Sequence, residues 1–336
     1  MHEPGPAALR PAADLVARFR ADVAHVAGGA PDQLGIAVSG GPDSLALLLL
    51  AHAAFPDRVS AATVDHSLRA ESADEAKWVG EICRDLGVPH AVLGGQPEKT
   101  AGGLQAAARA LRYRLLGDWA SREGCALVAT AHHADDQAET ILMRMGRGAG
   151  LPGLAGIRPA RPIVEGSEVM LVRPLLGWRK HELTGIVAAS GLKAVDDPSN
   201  RSPRFDRSRI RAWLAAAEAP PAPRLAAAAA HLEDCEEALA WAAEAAWRLR
   251  AVADSGKVTI DAEGLPRELR RRLARRAIDA VRRAAGLAGP WREDGLDRVL
   301  TALAADGAAT LGGVMCKGND ACWAFRPAPP RRVLGK

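Results

Sequence analysis

LGIAVSGGPDSLALLLLAHAA, residues 34–54, decides how the rest of this chain is read. Leu34, Ile36 and Val38 suit a short buried strand. The turn that follows is Ser39-Gly40-Gly41-Pro42-Asp43-Ser44. Its two glycines let the backbone bend sharply, with positive φ available, and put no Cβ in the path of a ligand. Pro42 has a fixed φ and no N–H, which suits the first turn of a helix. Leu45, Leu47, Leu48, Leu49 and Leu50 then leave no polar face, as in a helix buried on most sides. A strand, a glycine turn and a helix N-terminus in this order make an anion site, because unpaired N–H groups and the helix dipole both point at the turn.

Two familiar anion loops are excluded. The chain has no GxxxxGK followed by Ser or Thr, and the turn is not GxGxxG. What remains is SGGPDS, with hydroxyls at Ser39 and Ser44 and a carboxylate at Asp43, and it resembles the signature of the PP-loop ATP pyrophosphatases. A bare Ser-Gly-Gly would read as an ordinary capped turn. The full six residues between a strand and a helix favour a nucleotide cradle.

At 336 residues the chain exceeds what one apolar core usually fills, so two or three domains are expected. With 48% hydrophobic and 25% charged residues the composition is that of a soluble globular protein, not a disordered one. The net charge of +4 is too small to establish a nucleic-acid partner, so the clustering of arginines has to decide. Cys83, Cys125, Cys235, Cys316 and Cys322 form no CxxC pair, which argues for reduced thiols. The sequence shows no leader pattern and no apolar run of membrane length, so a cytoplasmic protein without membrane contact is expected.

Along the chain, strands are predicted at 34–38, 58–64, 89–93 and 126–130, alternating with helices at 14–26, 45–54, 71–86, 103–122 and from His133 onward. That alternation predicts an α/β fold with a doubly wound parallel sheet. In such a sheet, ligands sit beyond the carboxyl ends of the strands. SGGPDS, DHSLR at 65–69 and AHHADDQAET at 131–140 all fall at those ends, so three polar stretches converge on one crevice. On the helix 103–122, Leu104, Ala108, Leu111, Leu115 and Trp119 form the predicted core stripe, with Gln105, Arg109 and Arg112 on another face. A strand at 168–176 and a helix at 181–190 follow. After the Pro-rich boundary at 220–223 the region is predicted to be mainly helical, with helices at 225–249 and 266–283, the latter crowded with arginine. The expected division is a tail and helix at 1–30, a catalytic domain at 31–215 and a C-terminal region at 224–336.

Taken together, the chain resembles the tRNA(Ile)-lysidine synthetase family. The resemblance rests on SGGPDS, DHSLR, the Arg109/Arg112/Tyr113 helix, AHHADDQAET, RGAGLPGL at 147–154 and DPSNRSPRFDRSRIR at 197–211. It fades beyond residue 212, where Thr310-Leu311-Gly312-Gly313 only faintly matches the family's C-terminal tRNA-binding domain. The resemblance implies that ATP adenylylates C2 of the wobble cytidine of a tRNA(Ile) with a CAU anticodon. Free L-lysine then displaces AMP to give lysidine. It also allows a homodimer. Rival readings are a PP-loop tRNA thiolase, against which the missing CxxC counts, and a non-catalytic nucleotide- or RNA-binding protein.

Residue by residue, the ATP site is expected at Ser39, Gly40, Gly41, Pro42, Asp43, Ser44 and His66, and the catalytic set at Asp43, Arg112, His133 and Asp136. Mg2+ would take hard oxygen donors, for which Asp43 and Asp136 are the candidates. His132 and His133 are adjacent and point apart, which speaks against a zinc pair. With an ordinary pKa near ~6.5, His133 is the expected proton acceptor. One of Asp135 and Asp136 is expected to be only a helix cap. Arg109, Arg144, Arg147, Arg201, Arg207, Arg209 and Arg211 are the expected tRNA contacts, joined by part of the arginine run at 267–283.

Overall fold

The computed structural model describes residues 10–65, 72–97, 103–195, 206–214, 221–289 and 291–329, with backbone alone for 206–208. The chain divides into two units, Met1–Glu233 and Asp234–Lys336, and the division falls within one long helix, Ala222–Arg250.

The first unit begins with α1 (Ala13–Ala27), β1 (Leu34–Ala37), α2 (Pro42–Ala54), β2 (Val59–Asp65), α3 (Ser72–Asp85) and β3 (His90–Gly94). It continues with α4 (Leu104–Arg122), β4 (Leu127–Ala129), α5 (Ala134–Met145), α6 (Leu151–Leu154), β5 (Ala160–Pro162) and β6 (Met170–Val172). The helices α7 (Lys180–Ser190), α8 (Asp206–Leu214) and the start of α9 (Ala222–Arg250) complete it. The strand order is β3-β2-β1-β4-β6-β5, parallel throughout except for β5, which runs antiparallel on the edge. The order reverses between β1 and β4, so the connections leaving those strands diverge and open a crevice at their carboxyl ends.

Period-two alternation divides the strands between two cores. Leu34, Ile36, Ala129 and Val172 pack with α1, α2, α3 and α7, whereas Ala37, Ala62, Val128 and Leu171 pack with α4. The buried side of α4 is Ala107, Leu111, Tyr113, Leu116 and Trp119. Leu104, expected in the core, is 42% exposed at the first position of α4. The expected strand at 168–176 is cut to three residues, since the chain turns at Arg173. Residues 160–162 add the edge strand that the reading did not include.

The second unit holds the rest of α9, then β7 (Ala251–Asp254), β8 (Lys257–Asp261), α10 (Arg267–Ala284), α11 (Leu296–Ala304), β9 (Ala308–Leu311), β10 (Val314–Gly318) and β11 (Cys322–Pro327). The expected helices are joined by a five-stranded antiparallel sheet of order β7-β8-β11-β10-β9. Gly312 and Gly313, both at positive φ, are the two-residue turn between β9 and β10. The apolar face of α10 (Leu273, Ala274, Ala277, Ile278, Val281) packs on this sheet through Val258, Ile260 and Phe325.

Candidate active site

The loop after β1 is held by one hydroxyl. Ser44 Oγ accepts the Ser39 N–H (3.1 Å), lies 3.2 Å from Ser39 Oγ and donates to the Gly41 carbonyl (3.0 Å). Ser44 is therefore spent on loop shape, and Ser39 is the freer of the two. Positive φ was expected to be open to both glycines, yet only Gly40 uses it (φ +82); Gly41 is extended at φ −73 and caps α2. A Cβ on Gly41 would come no nearer than 3.8 Å to any neighbour. Its missing side chain is thus not needed for packing, which leaves the space in front of the helix N-terminus open.

The chain enters α5 from β4 through His132 and His133. His133, only 3% exposed, has three carboxylates around its ring. Nε2 lies 3.5 Å from Asp43 Oδ2 and 3.6 Å from Asp136 Oδ2, and Nδ1 lies 3.5 Å from Asp135 Oδ2. Burial disfavours the imidazolium, but Asp135, Asp43 and Asp136 outweigh it and push the pKa up to about 10. That value makes His133 a cation in the ligand-free protein, which runs against the expectation that it accepts a proton there, since carboxylates from two different helices already favour the imidazolium. Asp135 is drawn down to about 2, chiefly by His133, against burial and with help from the Lys180 N–H.

Both aspartates of the pair cap a helix, where only one was expected to. The His133 N–H donates to Asp136 Oδ2 (3.1 Å), and the Lys180 N–H at the start of α7 donates to Asp135 Oδ2 (2.9 Å). His132 is the opposite of its neighbour. Burial first, then Arg173, Arg109 and Arg112, hold it well below its ordinary value, so it is neutral, with Nδ1 3.0 Å from Thr130 Oγ1.

These groups share a crevice of about 1030 Å³ lined by the loop, Arg112, Thr130 to His133, Asp135, Asp136, Glu139 and Arg211. Glu139, 4% exposed, was not singled out from the sequence; its signal was the three-residue step from Asp136, which puts both carboxylates on one side of α5. It pairs with Arg211 Nε at 2.5 Å. Asp43 Oδ1 is buried without a hydrogen-bond partner, a position that a cation would satisfy. Asp43 and Asp136 both bring Oδ2 within 3.6 Å of His133 Nε2, and hard oxygen donors of this type suit Mg2+ shared with substrate phosphates.

Other expected residues lie elsewhere. Arg144 donates through Nη1 to the Gly153 and Gly156 carbonyls (2.8 and 2.7 Å), bracing the glycine segment that follows α5. Arg209 and Arg147 are exposed, and Arg211 turns into the crevice. His66, Arg201 and the side chain of Arg207 lie outside the described residues. On α10, Arg267, Arg270, Arg271, Arg272, Arg275 and Arg276 all reach carboxylates of the second unit, and Arg282 binds backbone carbonyls. Most arginines of that run thus have partners within the second unit, where part of the run was expected to contact RNA.

A twisted parallel sheet with a glycine loop after its first strand and polar residues after its fourth defines an ATP-using PP-loop protein, and the family model described as PP-loop domain matches residues 16–218. The tRNA(Ile)-lysidine synthase of Zymomonas mobilis is 45% identical over 89% of this chain and 90% of its own length. That of Novosphingobium aromaticivorans is 44% identical over 94% of each. The chain belongs to the tRNA(Ile)-lysidine synthase family. Among solved structures, the U34-tRNA thiolase NcsA of Methanococcus maripaludis matches 67% of this chain and 79% of its own at a TM-score of 0.55 and 18% identity, a likeness of fold alone.

Proposed function

We propose that this chain forms lysidine on tRNA(Ile), using ATP in the crevice between β1 and β4. The observation that carries the reading is the meeting of the phosphate loop and the acidic cluster Asp43, Asp135, Asp136 and Glu139 in one cavity. The loop N–H groups and the α2 N-terminus suit the polyphosphate, and Arg112 lines the same crevice. In the first step the C2 oxygen of the wobble cytidine bonds to the α-phosphorus as the bond to pyrophosphate breaks. In the second, the ε-nitrogen of lysine bonds to C2 as the C2–O bond to AMP breaks, and the ammonium proton leaves.

The acidic cluster supplies sites for two cations. Asp43 and Asp136 would hold Mg2+, which neutralises phosphate charge when bound. Glu139 and Asp135, paired with Arg211 and His133 in the ligand-free protein, would turn from those partners to orient the lysine ammonium before its proton is lost. His133, already an imidazolium in the ligand-free protein, keeps the three aspartates converged and does not take that proton in this state. Arg109, Arg144, Arg147, Arg201, Arg207 and Arg209 are the proposed tRNA contacts. A cytoplasmic location suits these substrates; separately, among the described residues no helix is long and apolar enough to cross a membrane. Assembly as a homodimer is checked by its mass in solution.

The test is a reaction containing the protein, ATP, Mg2+, L-lysine and a tRNA(Ile) transcript with a CAU anticodon. Lysidine, read by mass spectrometry of the digested RNA, is expected only when all are present, whereas pyrophosphate release needs ATP, Mg2+ and the tRNA but not lysine. Pyrophosphate release from the complete mixture without any lysine incorporation would overturn the reading.

A further inference from the structure

Outside the acidic cluster, the first unit gathers its arginines around one aromatic ring. Tyr113 on α4 is the sole tyrosine of the chain and is 5% exposed. Arg109 lies over it at 5.0 Å from the ring centroid and Arg161, from the edge strand β5, at 4.8 Å. Arg173, which follows β6, comes close enough to the phenol to favour its anion. Arg112 is also within electrostatic reach of the phenol and of Arg109. Three separate elements thus bring four guanidinium groups to one place.

No carboxylate of the described residues pairs with any of the four, although α10 shows how readily arginines of this chain find one. Arg173 makes the case sharpest. It is 2% exposed, it donates through one nitrogen to the Arg158 carbonyl (2.5 Å), and its Nε is buried with no partner. A buried guanidinium without an anion is costly, and four like charges at one locus repel each other. The neighbouring imidazole, His132, is held neutral by the same charges. What satisfies such a place is a group with several oxygens and a negative charge, which guanidinium forks match geometrically.

We propose that Arg109, Arg161 and Arg173, arranged around Tyr113 and continuous with Arg112 in the crevice wall, form a second phosphate subsite distinct from the glycine loop. It deepens the reading above and rests on it only for the identity of the phosphate carriers, which are the tRNA backbone and the ATP triphosphate. Arg161 and Arg109 keep contact with solvent, so the group enters from outside and Arg173 forms the floor. Tyr113 is the platform on which the two outer arginines lie.

The single tyrosine makes the subsite directly readable. Burial raises the Tyr113 pKa, but Arg109, Arg112 and Arg173 together bring it below its ordinary value. Tyrosinate absorbance at 295 nm should therefore rise early in an alkaline titration of the enzyme. Inorganic pyrophosphate at millimolar concentration should move that titration to higher pH, and Arg161→Gln or Arg109→Gln should lessen the move. Both substitutions are at solvent-facing positions, and unchanged urea unfolding serves as the check on folding.

Two binding measurements then separate the carriers. If the tRNA backbone is the occupant, Arg161→Gln weakens tRNA binding several-fold and flattens the slope of log K against log salt by about 0.7–0.9, with ATP affinity unchanged. If the triphosphate is, ATP binding weakens several-fold and the tRNA salt slope stays. A pyrophosphate-insensitive Tyr113 titration, with both affinities unchanged in both variants, would overturn the subsite. None of these readouts requires lysidine to be made, so a parent enzyme that fails to make it would sink the proposed reaction and leave this result standing.

Discussion

At the scale of single residues, His133 carries the heaviest electrostatic load. Its pKa rises from an unfolded value of 6.5 to about 10, so the folded chain binds a proton more tightly than the unfolded one. The resulting stability is present in full below about pH 6.5 and is lost as pH climbs through 10, on the order of a few kcal/mol. Urea midpoints of the ligand-free protein should fall across that window. In His133→Gln they should be lower at pH 6.5 and nearly flat, and a parallel decline in the variant would show that another group titrates. The two loop glycines should also separate. Gly40→Ala forces a side chain into left-handed backbone against Val195 and Val79, at a cost of roughly 1–3 kcal/mol. Gly41→Ala should change stability by less than about 1 kcal/mol, since it alters only a helix cap, yet depress ATP-dependent pyrophosphate release. Equal unfolding of both variants, read by thermal melts, would deny Gly41 its place in the cradle.

Among the elements, α5 organises the site. Its first turn presents the aspartates, and its second fixes the glycine segment that follows it. Gln137, 5% exposed, grips Ile157 from both sides, its Nε2 donating to the Ile157 carbonyl (2.9 Å) and its Oε1 accepting the Ile157 N–H (2.6 Å). Gln137→Leu keeps helix propensity and volume but strands both backbone groups, so it should lower stability by about 1–3 kcal/mol. Because Arg144 braces the same segment, the double variant Gln137→Leu/Arg144→Ala should lose less than the sum of the two. Strict additivity in urea unfolding would mean that the two braces act independently.

In the whole molecule, two units hold separate cores, and the cysteines report on each. Burial pushes the Cys83 and Cys316 thiols up to about 12, one in the first unit and one in the second, and raises Cys125 as well. Cys235 and Cys322 are exposed. An alkylating reagent at neutral pH should therefore modify Cys235 and Cys322 at once and leave the others untouched. In a urea series, Cys83 and Cys316 should become reactive at different midpoints, since no single core contains both. One shared midpoint would show that the units unfold as one. The committed arginines of α10 have a bearing here too: their loss should disturb the second unit more than it weakens tRNA binding.

The strand–loop–helix at 34–54 was legible because its pattern is local: apolar alternation, two glycines, a proline and a leucine run act over one or two turns of chain. The parallel sheet and its crevice followed from repeating that pattern and from the handedness of crossovers. The short Ala-rich strands β7 and β9 and the edge strand β5 carried no such signal, because their pairing lies in partners distant along the chain. Charge state was likewise beyond the sequence. Two adjacent histidines are equivalent as letters, yet His133 is surrounded by carboxylates from α2 and α5 while His132 faces the arginines of α4 and β6. Arg144, Arg211 and the α10 arginines looked like free cations until folding supplied carbonyls or carboxylates beside them. Local sequence set which groups were available; only the tertiary structure, by bringing elements together at distances of 3 to 5 Å where Coulomb energies become decisive, chose their partners.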